Sequence, residues 1–114
     1  MEPKLVNILR RMLKYSQKMI RFCEDADYQT FLEDEKLFDA CVMNLCNLGE
    51  QARHMPDSFR DAHPELPWRA MYFMRNRVAH DYEGLRHEII WQAIQTDIPC
   101  LRDQLEALLK EARP

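Results

Sequence analysis

The segment Arg75-Asn76-Arg77-Val78-Ala79-His80-Asp81-Tyr82 gathers a permanent cation, a proton carrier and a phenol within eight residues. Arg75 can hold a phosphate through two parallel N–H donors. His80 exchanges a proton near neutral pH. The hydroxyl of Tyr82 can donate or accept a hydrogen bond. These are the parts of a site that breaks a phosphodiester without a metal. RNA carries its own nucleophile, the ribose 2′-OH. A protein then has three tasks: remove that proton, stabilise charge on the phosphoryl oxygens, and protonate the leaving 5′-oxygen. His80 fits as base or acid, a role worth ~10²–10⁴ in rate. Arg75 fits as the stabiliser of developing charge. Asn76, at i,i+4 from His80, can orient the imidazole, and Tyr82 can position the phosphate or the 2′-OH. The same residues also read without chemistry, as solvated arginines, a histidine at a helix C-terminus and a packed tyrosine. Both readings stand on residue types alone.

Helix geometry limits how these groups can meet. Arg75 and His80 are about 140° apart around a helix, and His80 and Tyr82 about 200°. One straight helix cannot aim all three at one phosphate. Either the helix unwinds near His80, or two copies of the chain complete the site across a two-fold interface. Gly84 makes some unwinding plausible; both are expected, with dimerisation the more important.

The supporting elements read as helices. Pro3 suits the first turn, and Leu5, Ile8, Leu9, Met12, Met19, Ile20 and Cys23 recur at helical spacing. Asp25-Ala26-Asp27 breaks this helix, and Thr30 or Asp27 can cap a second one running through Phe31, Leu37, Phe38, Cys41, Val42, Leu45 and Leu48. Gly49 near its end implies a close helix contact. Pro56, Pro64 and Pro67 mark a loop, with one short helical turn at Asp57–Ala62. Trp68 to about Val78 forms a third helix. His87 to about Arg113 forms a long fourth, kinked at Pro99 because the apolar periodicity resumes beyond it. The expected fold is all-α: an up-down four-helix bundle with a short third helix and a kinked C-terminal helix, homodimeric, one domain over residues 1–114.

Charge is unevenly distributed in this chain of net −3, a balance that argues against broad, sequence-blind nucleic-acid binding. Residues 1–22 hold Lys4, Arg10, Arg11, Lys14, Lys18 and Arg21 against Glu2. Residues 23–50 hold Glu24, Asp25, Asp27, Glu33, Asp34, Glu35, Asp39 and Glu50 against Lys36. Such segments suit antiparallel neighbours with solvated faces; alternatively, the basic stretch guides RNA towards the site. The four cysteines form no C-x-x-C pair and no zinc spacing, so no metal or cofactor is expected and the thiols read as buried and reduced. No apolar run approaches the ~20 residues of a membrane span. Met1-Glu2-Pro3-Lys4 lacks the apolar stretch of a secretory signal. The expectation is a soluble cytoplasmic protein. His54, His63 and His87 read as structural or exposed, Trp68 and Trp91 as core or dimer-interface anchors, and Met12, Met19, Met43, Met71 and Met74 as core filler.

Arg75-x4-His80-x-Tyr82, with Asn76 directly after the arginine, resembles the signature of HEPN domains. Asn47-Leu48-Gly49-Glu50 is similar to the family's Gly-Glu element, and Leu66-Pro67-Trp68 to its entry into the third helix. Trp91 followed by Asp97-Ile98-Pro99-x-Leu101 is similar to its final helix. In order, these elements cover residues 30–105. The resemblance narrows to the HepT-like toxins of two-gene HepT/MntA systems, which are type VII toxin–antitoxin pairs.

That resemblance implies a homodimeric, metal-independent endoribonuclease toxin. Arg75, His80 and Tyr82 would line an RNA-cleaving cleft formed by both subunits, with Asn76 in support and tRNA or mRNA, not DNA, as substrate. It further implies a minimal nucleotidyltransferase antitoxin, MntA-like, that transfers AMP from ATP onto Tyr82. The adduct would add bulk and negative charge beside Arg75 and block substrate phosphate. Glu50 can pair with Arg75 or Arg77, hydrogen-bond His80, or remain a surface acid. Arg77 can touch phosphate or stay solvated, and Asp81 can face solvent or a partner's basic group. The rival readings are a non-catalytic helical partner of a nucleotidyltransferase, with Tyr82 only its modification acceptor, and a purely structural dimeric bundle.

Overall fold

Pro3 opens helix α1 (Pro3–Cys23), which buries Ile8, Leu9, Met12, Ser16, Met19 and Cys23. The buried Ser16 hydroxyl donates to the Met12 carbonyl at 2.9 Å, so no polar group is stranded in this face. The computed structural model describes residues 1–112; Arg113 and Pro114, the expected ends of the last helix and of the domain, lie outside them. Among the described residues every regular element is helical.

The single second helix that the apolar spacing predicts is divided in two. Asp27 caps α2 (Tyr28–Glu33), its carboxylate accepting the Thr30 N–H at 2.8 Å. Asp34 caps α3 (Glu35–Arg53) in the same way, accepting the Leu37 N–H at 3.1 Å. Asp34 has left helical geometry, with φ −98° and ψ 93°. Its side chain satisfies a donor that the new helix would otherwise leave orphaned, which stabilises the break. Thr30, the other candidate cap, gives its N–H to Asp27 instead.

Helix α4 (Asp57–Ala62) lies in the proline-marked loop. Helix α5 (Trp68–His80) follows Pro67 and runs two residues past Val78. Asp81 ends it with φ −151° and ψ 55°, and a 3₁₀ turn, Tyr82–Gly84, follows. The C-terminal segment is α6 (His87–Gln92), a π-helical turn (Ala93–Asp97) and α7 (Ile98–Glu111). The irregularity expected at Pro99 falls one turn earlier. The Ile98 N–H reaches the Ala93 carbonyl five residues back. The wider spacing relieves the clash a proline ring makes with the carbonyl four residues behind it.

Helix α1 lies between α3 and α7, while α3 packs on α5, and α2 bridges α3 and α6. One core joins Leu9, Met12, Met19, Phe31, Leu48, Ile90, Ile94, Leu101 and Leu105, all at most 2% exposed. A cavity of about 280 Å³ remains where α3, α5 and α7 approach, lined by Leu48, Met71, Met74, Ile98 and Leu101 among others. Among the described residues no helix is long and apolar enough to cross a membrane.

Helix α1 packs on acidic α3, as the charge pattern suits, and among the described residues no ion pair links α1 to any carboxylate, so its basic face is solvated. Two expectations are corrected. The thiols are not all buried: Cys23 and Cys41 are, with sulfurs 3.5 Å apart, but Cys46 is half-buried and Cys100 exposed. The contact with Cys23, then burial, pushes the Cys41 thiol up, which keeps it protonated at neutral pH. Met43 is 60% exposed rather than core filler.

Candidate functional site

The site begins with a missing side chain. A Cβ on Gly49 would stand 2.6 Å from Arg75 Cβ and 2.7 Å from the Met71 carbonyl oxygen. The bare glycine lets α3 and α5 touch at backbone distance. Glu50 follows immediately, and its Oε2 accepts Arg75 Nε–H at 3.0 Å. Arg75 Nη1 also donates to Asn76 Oδ1 at 3.2 Å. The guanidinium is thus steered by a carboxylate and an amide while its side chain stays 26% exposed. Its Nη2 donors make no hydrogen bond among the described residues, so the outer edge of the fork remains available to an anion.

Of Glu50's possible partners the structure shows Arg75, together with Arg53 at 3.4 Å. The Asn76–His80 hydrogen bond that i,i+4 spacing allows does not form; the Asn76 oxygen accepts from Arg75 instead. His80 is the last residue of α5, is exposed, and makes no side-chain hydrogen bond among the described residues. A solvent-facing imidazole at this end can accept or deliver a proton.

The Tyr82 hydroxyl donates to Asp39 Oδ1 on α3. Its ring meets Phe38 edge-on at 6.4 Å, and Phe38 stacks on His87 at 4.0 Å. The hydrogen bond to Asp39, followed by desolvation and the charges of Asp39, Glu83 and Glu35, pushes the phenol up to about 12. Arg77 neither reaches out alone nor pairs with Glu50. It clamps the turn that carries Tyr82, donating through Nη2 to the Gly84 carbonyl at 3.4 Å and lying 3.8 Å from Asp81 Oδ2. Asp81 therefore faces this chain's own Arg77.

Helix α3 positions both ends of the motif, Arg75 through Glu50 and Tyr82 through Asp39. The two anchors are eleven residues apart, within about 20° around α3 but separated by about 16 Å along it. One protomer thus brings Arg75, Asn76 and Glu50 together and holds Tyr82 at a distance. None of the five principal cavities among the described residues is lined by Arg75, His80 or Tyr82. Asp39 is the site residue that sequence reasoning misses. Its signal was the shared face with Glu50, hidden in a run of acids that read as a solvated surface.

Of the remaining histidines and tryptophans, His54 is exposed, and His63, His87, Trp68 and Trp91 pack within the fold. His63 packs on Phe59 at 4.4 Å, and its carbonyl accepts the Trp68 indole N–H at 2.8 Å. Trp91 packs on Phe31 at 5.1 Å.

A family model described as ribonuclease HepT-like matches residues 12–108. The chain belongs to the HepT-like ribonuclease family. Its similarity to individual members is moderate and extends over most of their length. It is 35% identical to a chain of Thermococcus cleftensis named as a probable ribonuclease HepT, over 78% of this chain and 81% of that one. It is 30% identical to a relative from Caldanaerobacter subterraneus that carries an RNase name, over 92% and 94% of the two chains. A Methanocaldococcus jannaschii relative, also named as an RNase, is 29% identical over 88% and 83%. No solved structure gives a significant match. For a HepT-like ribonuclease the enzyme class is ribonuclease and the substrate class RNA. The matched span contains the whole α3–α5 seam.

Proposed function

We propose that this HepT-like ribonuclease is a metal-independent endoribonuclease toxin of a two-gene system, working as a homodimer in the cytoplasm. The observation that carries the reading is one helix bearing an Arg75 steered by Glu50 and Asn76, and ending in an exposed His80. In the reaction the 2′-oxygen attacks the adjacent phosphorus and the bond to the 5′-oxygen breaks. The 2′-proton passes to a base and the leaving oxygen receives a proton from an acid. His80 serves as one of these, and Arg75 stabilises the charge on the non-bridging oxygens. The products are a cyclic phosphate and a free 5′-OH, on tRNA or mRNA.

A second copy completes the cleft. In one protomer the Arg75 and Tyr82 anchors lie about 16 Å apart along α3. Phe73, Asn76 and His80 share one face of α5 by their spacing. Phe73 is 62% exposed and Met43 60%, which supplies apolar surface for a partner to cover. In this reading α1, α3, α5 and the α6–α7 segment form an up-down HEPN-type bundle, one domain over residues 1–114.

A nucleotidyltransferase antitoxin silences the enzyme through Tyr82. The phenolic oxygen attacks the α-phosphorus of ATP, pyrophosphate leaves, and the phenolic proton goes to Asp39, which already accepts it. The resulting phosphodiester obstructs RNA phosphate by bulk and charge.

The test compares wild type with His80→Ala. Wild-type expression without the antitoxin arrests growth and leaves new RNA ends; the variant stays folded and does neither. Equal inertness of both proteins on tRNA and mRNA removes the endonuclease reading. One observation favours the rival, in which Tyr82 is only a modification acceptor on a non-catalytic partner. The phenol is 40% exposed and tied to Asp39, away from Arg75. Two outcomes separate the readings. A wild type that carries the AMP-sized mass adduct but cleaves no RNA in its unmodified form is the non-catalytic partner. Unchanged cleavage by Tyr82→Phe with loss of the adduct makes Tyr82 an acceptor on an active enzyme.

A further inference from the structure

Helix α1 carries six cations and no acid between Pro3 and Cys23. Lys4, Arg10, Arg11, Lys14 and Arg21 are exposed and Lys18 is half-buried. Most of them recur three and four residues apart on the side opposite the core, with Asn7 continuing the line. The stripe rises about 26 Å from end to end.

Among the described residues none of these six makes an ion pair, whereas outside α1 Arg53, Arg60, Arg75, Arg77, Arg86 and Arg102 do and only Lys36, Arg69 and Lys110 do not. Like charges at helical spacing repel. Here that repulsion stands unrelieved in a protein of net charge −3, so the positive field is local and directed outwards. An aromatic closes the line. Phe22 is 37% exposed, with Lys18 Nζ and the Arg21 guanidinium 5.9 and 5.8 Å from its ring centre.

We infer that the outer face of α1 is a track for the phosphates of single-stranded RNA, with Phe22 as a stacking platform at its end. Cations at intervals along a strand bind without regard to sequence, and a base can stack on any exposed aromatic face. The end of the track lies where α1 packs on the N-terminal half of α3, the Cys23 and Cys41 sulfurs being 3.5 Å apart. The inference rests on RNA being the substrate class and is independent of dimerisation or modification. An acidic protein surface is the rival occupant, but it has no use for the exposed phenyl ring.

The test uses the full chain and a triple variant, Arg11→Gln with Lys14→Gln and Lys18→Gln. A matched control neutralises three exposed, unpaired cations elsewhere: Lys36→Gln, Arg69→Gln and Lys110→Gln. Circular dichroism checks that both retain their helix content. Affinity is measured across a salt series on a long 2′-O-methyl RNA, which has no nucleophile and cannot be cleaved. The stripe variant loses on the order of tenfold affinity at low salt, and its log-affinity against log-salt slope flattens by about 2. The control keeps the wild-type slope. Phe22→Ala weakens binding with the slope intact. Cleavage of long RNA falls with the stripe, while cleavage of a dinucleotide, too short to touch it, is unchanged. Equal slopes and affinities for stripe variant and control overturn the inference and assign the stripe to an acidic protein partner. Failure of the wild type to cleave either substrate would count against the ribonuclease chemistry alone, because the binding arm reads the stripe without it.

Discussion

The α3–α5 seam and the outer face of α1 use the same residue types in opposite ways. In the seam, charges are partnered: Arg75 with Glu50, Arg77 with Asp81 and Gly84, the Tyr82 hydroxyl with Asp39. On α1 no cation is paired among the described residues. A partnered charge is held in place, as a reacting phosphate requires. An unpartnered one is free to follow a flexible strand. On the proposed reading chemistry belongs to the seam and affinity to α1, so variants in the two regions should divide between turnover and binding.

The largest effect is at His80. His80→Ala should lower single-turnover cleavage by ~10²–10⁴ while binding of non-cleavable RNA is retained. If affinity fell in step with the rate, the proposed division would break.

Gly49→Ala sharpens the same contrast through packing. The added methyl meets Arg75 Cβ and a backbone carbonyl, neither of which can swing away. Overpacking of this kind costs about 1–3 kcal/mol, against a helix-propensity gain of about 1 kcal/mol. A net loss of thermal stability is expected, with reduced cleavage and an unchanged salt slope for RNA.

Glu50→Gln is milder. It removes the charge that steers Arg75 but keeps an acceptor of the same shape. Both side chains are partly exposed, at 26% and 33%, so solvent screening limits the stability loss to about 1 kcal/mol. The informative readout is turnover: kcat should fall while KM stays near wild type, and Glu50→Asp should restore part of the rate.

Asp39→Asn should be the smallest perturbation of stability and the clearest in a titration. The folded phenol of Tyr82, pushed up to about 12, lies above the ordinary 10.0 of an unfolded tyrosine. The group therefore contributes stability in full below pH 10 and loses it as pH rises towards 12. Neutralising Asp39 should bring the phenolate absorbance midpoint back towards 10 and shrink that alkaline loss. An unmoved midpoint would show that Asp39 does not hold the hydroxyl.

Much of this arrangement was legible because the deciding signals are local. Pro3, the Asp57–Ala62 turn and the end of α5 near His80 follow from residue types within a few positions. Gly49 announced a close contact, and the contact is with Arg75 itself. The readings that failed depend on more distant or competing terms. Two aspartates compete to cap the acidic stretch, and Asp34 succeeds as well as Asp27, so one predicted helix becomes two. Pro99 signals a disturbance without fixing where the backbone absorbs it, and the π turn takes it up upstream. Asp39 lies 43 residues from the hydroxyl it accepts. Such a pairing is decided by the antiparallel approach of two helices. Met43 lies on the side of α3 opposite Phe38, Cys41, Val42, Leu45 and Leu48 and is exposed; its residue type suggested core filler where its spacing did not.

Gly49 and Glu50 are neighbours in sequence, and this couples two quantities that a chain usually tunes apart. How near the helices lie and where the guanidinium points are set by adjacent residues. An insertion between them would rotate Glu50 about 100° around α3 and strand Arg75 even if every core contact survived. Sequence drift can therefore recolour much of the surface of this protein, but at that dipeptide spacing and aim must change together or not at all.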